Sequence, residues 1–357
     1  MEKKIKVLFV TQNVLHHYRV PVFRLVNKNP NIELTLAHCG SAIVQNDMPE
    51  ILLKLKKYGP FYAIKDFDSI CKDYDVVLCM YYYYNFSVLK WVLRNGQKTV
   101  FWNIGVPASY HRHYGEASNM WYKFYCHFLF KAKALLLYSK APLDIYRKRG
   151  FKVDENKVFF AHNTVEVMKQ PLENESKDAL LFIGTLYLEK GLQVLLDAYK
   201  MAYSEKQDIL PLKIVGGGEQ FETVINWVKT NGLENKINLL GAIYDSTKKA
   251  EIFKKSIACI SPMQAGLSVL ECMGYGVPFI TSHDAITGGE AFNIINGENG
   301  LRMKDLSQLK DVILDIDKNK RKYLEMGEKA YEYYWQNRTI DIMANGIVSA
   351  IEYAYNK

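Results

Sequence analysis

Short apolar runs recur along the chain, and segments with helical spacing separate most of them. The first run, residues 5–11 (IKVLFVT), is apolar at nearly every position. A strand of this kind is covered on both faces, which is typical of a parallel sheet. Alternation of such strands with helices predicts an α/β protein with helices on both faces of each sheet. The predicted strands are 5–11, 32–38, 76–81, 99–104, 134–139, 158–162, 180–184, 212–215, 237–240, 257–260, 277–281 and 300–303.

The length of the chain and one polar stretch predict two domains. A single core seldom grows past about 250–300 residues, and this chain has 357. The strand and helix pattern stops at the polar stretch 169–177 and then restarts. We therefore expect two Rossmann-like, doubly wound domains of similar size, residues 1–170 and 178–336, joined by a linker.

The charge of the chain is unevenly distributed. Residues 1–175 contain 25 Lys and Arg against 15 Asp and Glu, net +10, and the remainder contains 21 against 23, net −2, which together give the total of +8. An anionic partner for the first half is therefore expected: an acidic glycan, nucleic acid or an anionic membrane. No recognition motif accompanies the charge, so nucleic acid is not favoured. Residues 110–157 interleave basic and aromatic side chains, which indicates peripheral contact with an anionic membrane surface, or else a solvated face.

The remaining composition indicates a cytoplasmic protein, peripheral at most on the inner face of the membrane. The six cysteines are scattered and form no C-x-x-C pair, so reduced thiols are expected. No apolar run approaches the ~18 residues of a membrane span, and the N-terminal sequence is more typical of a strand than of a signal peptide. The D-x-D pairs at Asp66 and Asp73 resemble metal motifs, but we interpret them as solvated loop residues and expect no metal.

Two glycine-bearing turns in the second half follow predicted strands. Gly184 and Thr185 follow one strand, and Lys190 precedes the next helix. Gly216 and Gly217 follow another strand. Backbone N–H groups at such turns, together with a lysine, can hold a diphosphate. Alternatively, the lysine is an ordinary surface residue. The fingerprint G-x-G-x-x-G is absent after the first strand, which argues against an NAD enzyme.

The segment 258–282 (ACISPMQAGLSVLECMGYGVPFITS) predicts a strand, a short helix and a second strand. Gly266, Leu267 and Ser268 stand at the start of the helix, where amide groups and the helix dipole favour a phosphate. Glu271 lies one turn further on, and its carboxylate can accept two hydrogen bonds from a vicinal diol such as a ribose. Alternatively, Glu271 only stabilises the helix dipole, and Gly266 is only a turn.

This segment resembles the donor-site motif of the family 4 retaining glycosyltransferases, which have the GT-B fold. The matching residues are Gly266–Leu267, Leu270–Glu271, Gly276–Val277–Pro278 and, at the earlier turn, Lys190–Gly191. Met263 stands where the family has an acidic residue associated with the donor sugar, and Thr185 where it often has arginine. The resemblance implies two domains facing a central cleft, with the C-terminal helix, residues 337–357, packing back on the first domain.

The resemblance also implies roles for individual residues. Family members often have a histidine at the end of the fourth strand, where this chain has Asn103 or the nearby His111, and His16 is expected to face the same cleft. These three are the catalytic candidates. The acceptor-binding candidates are Arg19, His17 and Arg112. The donor-binding candidates are Glu271, Lys190, Gly184, Thr185, Gly216, Gly217, Gly266, Leu267, Ser268 and Glu290.

The implied activity is sugar transfer from a nucleotide-sugar to a glycan or lipid-linked saccharide in cell-surface polysaccharide biosynthesis. Retention at the anomeric carbon, independence of metal and the absence of any cofactor beyond the donor substrate are expected with it. A nucleotide-sugar epimerase or hydrolase on the same fold and a non-catalytic partner subunit are the alternatives.

Overall fold

A computed structural model describes residues 3–43, 47–108, 113–173 and 177–356. The described residues form two compact units. The first contains the described residues of Met1–Pro107, Gly115–Asn163 and Ile340–Lys357, and the second those of Ala108–Tyr114 and Thr164–Thr339. The division therefore lies somewhat before the predicted linker, which belongs to the second unit.

The first unit is a parallel sheet with helices on both sides. Its main sheet has seven strands in the described residues, in the order β3-β2-β1-β6-β7-β8-β9, and β4 and β5 form a separate antiparallel hairpin. The strands are β1 (Ile5–Val14), β2 (Ile32–Cys39), β3 (Glu50–Leu52), β4 (Leu55–Tyr58), β5 (Phe61–Ile64), β6 (Val76–Met80), β7 (Thr99–Asn103), β8 (Ala134–Leu137) and β9 (Val158–Phe160). The helices are α1 (Val20–Asn27), α2 (Phe67–Cys71), α3 (Phe86–Asn95), α4 (Asn119–Leu129) and α5 (Ala141–Lys148).

The second unit repeats this architecture with a six-stranded parallel sheet in the described residues, in the order β12-β11-β10-β13-β14-β15. Its strands are β10 (Ala179–Ile183), β11 (Leu212–Val215), β12 (Ile237–Gly241), β13 (Ser256–Ile260), β14 (Phe279–Ser282) and β15 (Gly300–Met303). Its helices are α6 (Leu192–Glu205), α7 (Phe221–Thr230), α8 (Ser246–Lys254), α9 (Ser268–Gly274), α10 (Leu309–Lys318) and α11 (Lys320–Asn337). The last helix, α12 (Ile340–Asn356), packs in the first unit, against α1 and β9.

Both sheets confirm the predicted α/β class. All five residues of β10 are buried, as are those of β13 and β7, which is the burial that an uninterrupted apolar run requires. Most predicted strands are found within one or two residues of their predicted ends. Strand β3 and the hairpin were not predicted, because β4 (LKKY) is largely exposed and contains no apolar run.

Strand β1 runs beyond its predicted end at residue 11. Asn13 belongs to β1, a short 3-10 turn covers His17–Arg19, and α1 begins at Val20. Pro21 stands in the first turn of α1, where its missing N–H leaves no helical hydrogen bond unmade. The apolar run in the sequence could not show that the strand continues to Val14, because its last two residues, Asn13 and Val14, are exposed.

The packing of α12 gives a test of the first unit. A Cβ atom at Gly346 would lie 1.9 Å from the carbonyl oxygen of Phe160, so the helix and the end of β9 touch through backbone. Gly346→Ala is expected to lower the free energy of unfolding by about 1–3 kcal/mol, although alanine favours an isolated helix by about 1 kcal/mol. Urea unfolding measures the change. Asn345→Ala, exposed on the same helix, is the control and should change it by less than about 0.5 kcal/mol. Equal values for the two variants would show that α12 is not docked on β9.

Candidate functional site

The order of the second sheet creates an opening at its C-terminal edge. Strands β10 and β13 are parallel neighbours, and the chain leaves them toward opposite sides of the sheet. Ligands of open α/β sheets bind at such a switch point, outside the carboxyl ends of the strands. The segments that follow β10 and β13 contain most of the predicted donor-binding residues, and Gly216 and Gly217 follow the neighbouring strand β11, so the fold places these groups at one edge.

Lys190 is a buried charged residue in the segment after β10. It closes the 3-10 turn Leu188–Lys190 and is only 7% exposed. Its Nζ lies against Gly184, so close that a Cβ atom on this glycine would be 2.8 Å from it. No described carboxylate forms an ion pair with Lys190, and burial lowers the pKa of its ammonium group. The turn after β10 therefore holds a buried ammonium group without an anionic partner.

The glycines after β11 allow the two turns to lie together. A side chain at Gly216, which has φ +156°, would place its Cβ 1.9 Å from the carbonyl oxygen of Gly184. The amide of Gly216 donates to Gly241, and that of Leu186 donates to Gly217. These contacts require glycine at 216, whereas Gly217 has ordinary space around it. Thr185, beside them, is exposed.

The segment after β13 reaches α9 through an open turn. A Cβ atom at Gly266 would have no neighbour within 4 Å, so this position is accessible to a ligand. Leu267 and Ser268 follow, both partly buried, and the Ser268 Oγ is shielded from solvent with no hydrogen-bond partner among the described residues. The helix has seven residues, so its dipole is short and Ser268 is the more specific feature.

Glu271 lies in the first turn of α9 and has a partner that the sequence did not indicate. Its Oε1 accepts a hydrogen bond of 2.5 Å from Nζ of Lys249, on α8. Both side chains are largely buried. The second oxygen, Oε2, forms no hydrogen bond with another described residue. The carboxylate is therefore held by one oxygen and can offer the other.

Two further residues near this edge, Glu290 and Met263, make contacts within the second unit. The carboxylate of Glu290 accepts a hydrogen bond of 2.9 Å from the amide of Gly288, within its own turn. Met263 packs against Gly191, where a Cβ atom would meet its sulfur at 2.6 Å. The position at which the resembled family has an acidic residue thus carries an apolar contact beside Lys190.

In the first unit, Arg19 lies among aromatic rings. Its Nη2 donates to the hydroxyl of Tyr138 at 2.7 Å, and its guanidinium carbon is 5.0 Å from the ring centroid of Trp102. Its Nη1 is shielded from solvent and has no hydrogen-bond partner among the described residues. As with Lys190, a cation is held in place without a carboxylate.

The other candidates of the first unit differ in their surroundings. His16 and His17 are exposed. Asn103, at the end of β7, is buried; its Oδ1 accepts from the hydroxyl of Tyr125 at 3.1 Å, while its Nδ2 has no partner among the described residues. His111 and Arg112 lie outside the described residues. In the part of the chain that is described, no group of three or more His, Cys, Asp or Glu side chains is arranged to hold a metal ion.

Sequence reasoning missed Lys249, Tyr125 and Tyr138. Lys249 stands 22 positions from Glu271, on another helix. The only sequence feature that marks Lys249 is its position in a predicted amphipathic helix. Many surface lysines have the same feature, so it does not indicate a role in the site. The two tyrosines lie in apolar segments that predict core residues and nothing more.

Comparison with known proteins identifies the class of the second unit. Residues 163–333 match the family model described as Glycosyl transferases group 1. The match confirms the predicted class of enzyme, a glycosyltransferase, for this segment. The N-acetyl-alpha-D-glucosaminyl L-malate synthase of Bacillus anthracis is 26% identical over 219 residues, which are 60% of this chain and 54% of that protein. The chain spans about half the length of the curated relatives it matches.

Solved structures are similar over nearly the whole chain. A glycosyltransferase from Rickettsia africae has a TM-score of 0.75 at 16% identity, with 99% of this chain and 100% of that chain covered. Anabaena HepE in complex with UDP has a TM-score of 0.72 at 13% identity, with 98% and 99% covered. At these identities the likeness concerns the fold, and it confirms the two Rossmann-like sheets of the GT-B glycosyltransferases.

The pair of Lys249 and Glu271 can be tested without any ligand. A double-mutant cycle of Lys249→Met and Glu271→Gln is expected to give a coupling free energy of about 1 kcal/mol or more, because both groups are largely shielded from water. Urea unfolding of the four proteins measures it. Lys255→Met, at an exposed lysine after the same helix, should show no coupling with Glu271→Gln. A coupling free energy near zero would mean that the two side chains do not pair in solution.

Proposed function

We propose that the chain transfers a sugar from a nucleoside-diphosphate sugar to a glycan or lipid-linked saccharide, with retention at the anomeric carbon and without a metal ion. The observation that carries the proposal is the pair of groups at one switch point. Lys190, a buried ammonium with no anionic partner among the described residues, follows β10, and Glu271, a carboxylate with an available oxygen, follows β13. A nucleoside diphosphate offers the complementary groups, an anion and a vicinal diol.

In this proposal Lys190 stabilises the diphosphate as it leaves, which is where negative charge develops. Gly184, Gly216 and Gly217 let the phosphates approach the backbone, with Thr185 and the hydroxyl of Ser268 as further donors. Glu271 binds the ribose, and Lys249 orients its carboxylate.

The remaining donor-binding candidates have supporting roles in this proposal. Gly266 and Leu267 line the open turn, and Glu290 contributes through its turn. The UDP in the similar HepE structure supports a nucleotide ligand.

The acceptor is assigned to the first unit. Arg19 offers an unpartnered Nη1, which suits a phosphate or another anionic group of the acceptor. His17 and Arg112 remain predicted acceptor-binding residues. His16, His111 and Asn103 remain predicted catalytic residues, and of these Asn103 has a free amide donor. The net charge of the first half supports an anionic acceptor and contact with an anionic membrane surface on the inner face of the membrane.

Removal of the carboxylate of Glu271 tests the pocket. Glu271→Ala is expected to weaken the affinity for nucleoside diphosphates by about 10–100-fold, because hydrogen bonds to a charged group contribute about 1.5–3 kcal/mol. Calorimetric titration with UDP, GDP and ADP, each beside its 2′-deoxy form, measures the loss. The variant should also lose discrimination against the deoxy forms. Glu332→Ala, exposed on α11, is the control. Unchanged affinity and unchanged turnover would exclude this pocket.

A panel of nucleotide-sugars with and without membrane extract then tests the reaction. Release of nucleoside diphosphate only with extract supports a transferase, and release without it supports an epimerase or hydrolase. If no nucleotide raises the melting temperature, the chain is a non-catalytic partner.

The buried ammonium predicts a pH dependence of binding. Burial lowers the pKa of free Lys190 below the ordinary value of 10.5, and a bound diphosphate raises it again by favouring the charged form. Binding therefore takes up a proton, and affinity falls as the pH rises through the pKa of free Lys190. Calorimetry in buffers of different ionisation enthalpy measures the uptake. Lys190→Met should remove the proton uptake, whereas Lys229→Met, at an exposed lysine on α7, should keep it. Equal uptake in both variants would exclude Lys190 as the phosphate ligand.

A further inference from the structure

The outer face of α4 exposes large apolar side chains. Met120 is 79% and Phe124 43% exposed, and their spacing of four residues places them on the same face. The ring of Phe128, one turn further, packs against that of Phe124 with centroids 5.2 Å apart. Two such exposed side chains in one line of a helix form a surface that water solvates poorly.

An open groove runs beside this face. It has a volume of about 400 Å³ and is lined by Lys123, Cys126, His127, Phe130, Lys131 and Phe151. Its floor is apolar: burial raises the pKa of the Cys126 thiol to about 12, so this residue stays neutral and acts as a small apolar group. Its rim is basic. The groove therefore combines apolar space with cations, all within the first unit.

The formal charges of α4 and of the residues that follow it have one sign. Between Glu116 and Asp144 the sequence contains no acidic residue, while it contains Lys123, Lys131, Lys133 and Lys140. Lys123 and Lys131 are exposed, and neither forms an ion pair with the described residues. Unlike Arg147, which pairs with Asp144 and Glu155, these two lysines keep their charge available. An occupant of complementary charge is anionic.

An anionic bilayer matches this combination better than nucleic acid does. The most exposed apolar side chain, Met120, has no aromatic face on which a base could stack. Apolar side chains on one face of a helix, flanked by lysines, are what an interfacial helix presents to lipid.

We propose that the outer face of α4 and the groove beside it bind the surface of an anionic lipid bilayer. Met120 and Phe124 insert between the acyl chains, Lys123 and Lys131 contact lipid phosphates, and an acyl chain enters the groove above Phe130 and Phe151. The inference deepens the membrane contact included in the proposed function by naming the surface that makes it.

Vesicle sedimentation with the full chain tests the assignment. The chain is expected to bind phosphatidylcholine vesicles that contain phosphatidylglycerol, to bind pure phosphatidylcholine far less, and to be released by salt. Each lysine near an anionic surface contributes about 1 kcal/mol, so Lys123→Gln with Lys131→Gln should weaken binding by about 25–30-fold. Lys200→Gln with Lys229→Gln, exposed lysines of the second unit, should not weaken it.

The contribution of the apolar side chains to vesicle binding is tested with a variant and a matched control. Met120→Ser with Phe124→Ser should weaken binding several-fold, whereas Met201→Ser, at a methionine 59% exposed in the second unit, should leave it unchanged. All four positions of the α4 variants are exposed, so their melting temperatures should equal that of the parent chain.

Three results would overturn the inference: no binding to the anionic vesicles, equal weakening by the control variants, or preferred binding of a single-stranded oligonucleotide through the same residues. Vesicle binding is measured without nucleotide, and nucleotide binding without vesicles. Failure of this surface is therefore distinguishable from failure of the proposed donor site.

Discussion

Parallel pairing of strands that are distant in sequence is the constraint on which the molecule depends. A parallel neighbour cannot follow through a tight turn, so each strand must be reached by a crossover, and the helices of those crossovers cover both faces of the sheet. Apolar side chains then fill both faces, and polar groups that act on a ligand are left to the strand ends. The position of β10 beside β13 decides which two strand ends meet. The proposed pairing of Lys190 with Glu271 in one donor site depends on that arrangement of the two strands.

At this edge the protein retains charge that it does not neutralise. Burial of an ammonium group disfavours its charged form and lowers the pKa of Lys190, and no described carboxylate forms an ion pair with it. A buried charge without a counterion destabilises the free protein, and a bound anion offsets this cost. An anion that binds at Lys190 therefore also stabilises the folded state. Glu271 is arranged differently, because Lys249 already compensates its charge. Lys190 thus has no counterion among the described residues, whereas Glu271 already has one, Lys249.

The first unit repeats the same principle with a guanidinium group. Arg19 is surrounded by the rings of Tyr18, Trp102 and Tyr138, which attract a cation through their faces and exclude water. The aromatic residues thus hold the cation without a counter-charge. Elsewhere in the unit, α4 and the residues after it expose Lys123, Lys131 and apolar side chains, so these cations face solvent.

The amino-acid sequence by itself determined the α/β class, the two sheets and most of their strands, because uninterrupted apolar runs are a local property that burial on both faces imposes. It also determined that glycine, lysine and glutamate stand at strand ends of the second half, since turns need glycine and parallel strands end in loops. It could not show that β1 continues through Asn13, because side-chain spacing does not reveal where a ladder of backbone hydrogen bonds stops. Tertiary structure alone decided that Lys190 is buried with no counterion in the part of the chain that the structure describes, and that Lys249 pairs with Glu271. It alone also decided that Met263 packs on Gly191. Each of these depends on which elements become neighbours in space, and that choice is made by the packing of the whole chain.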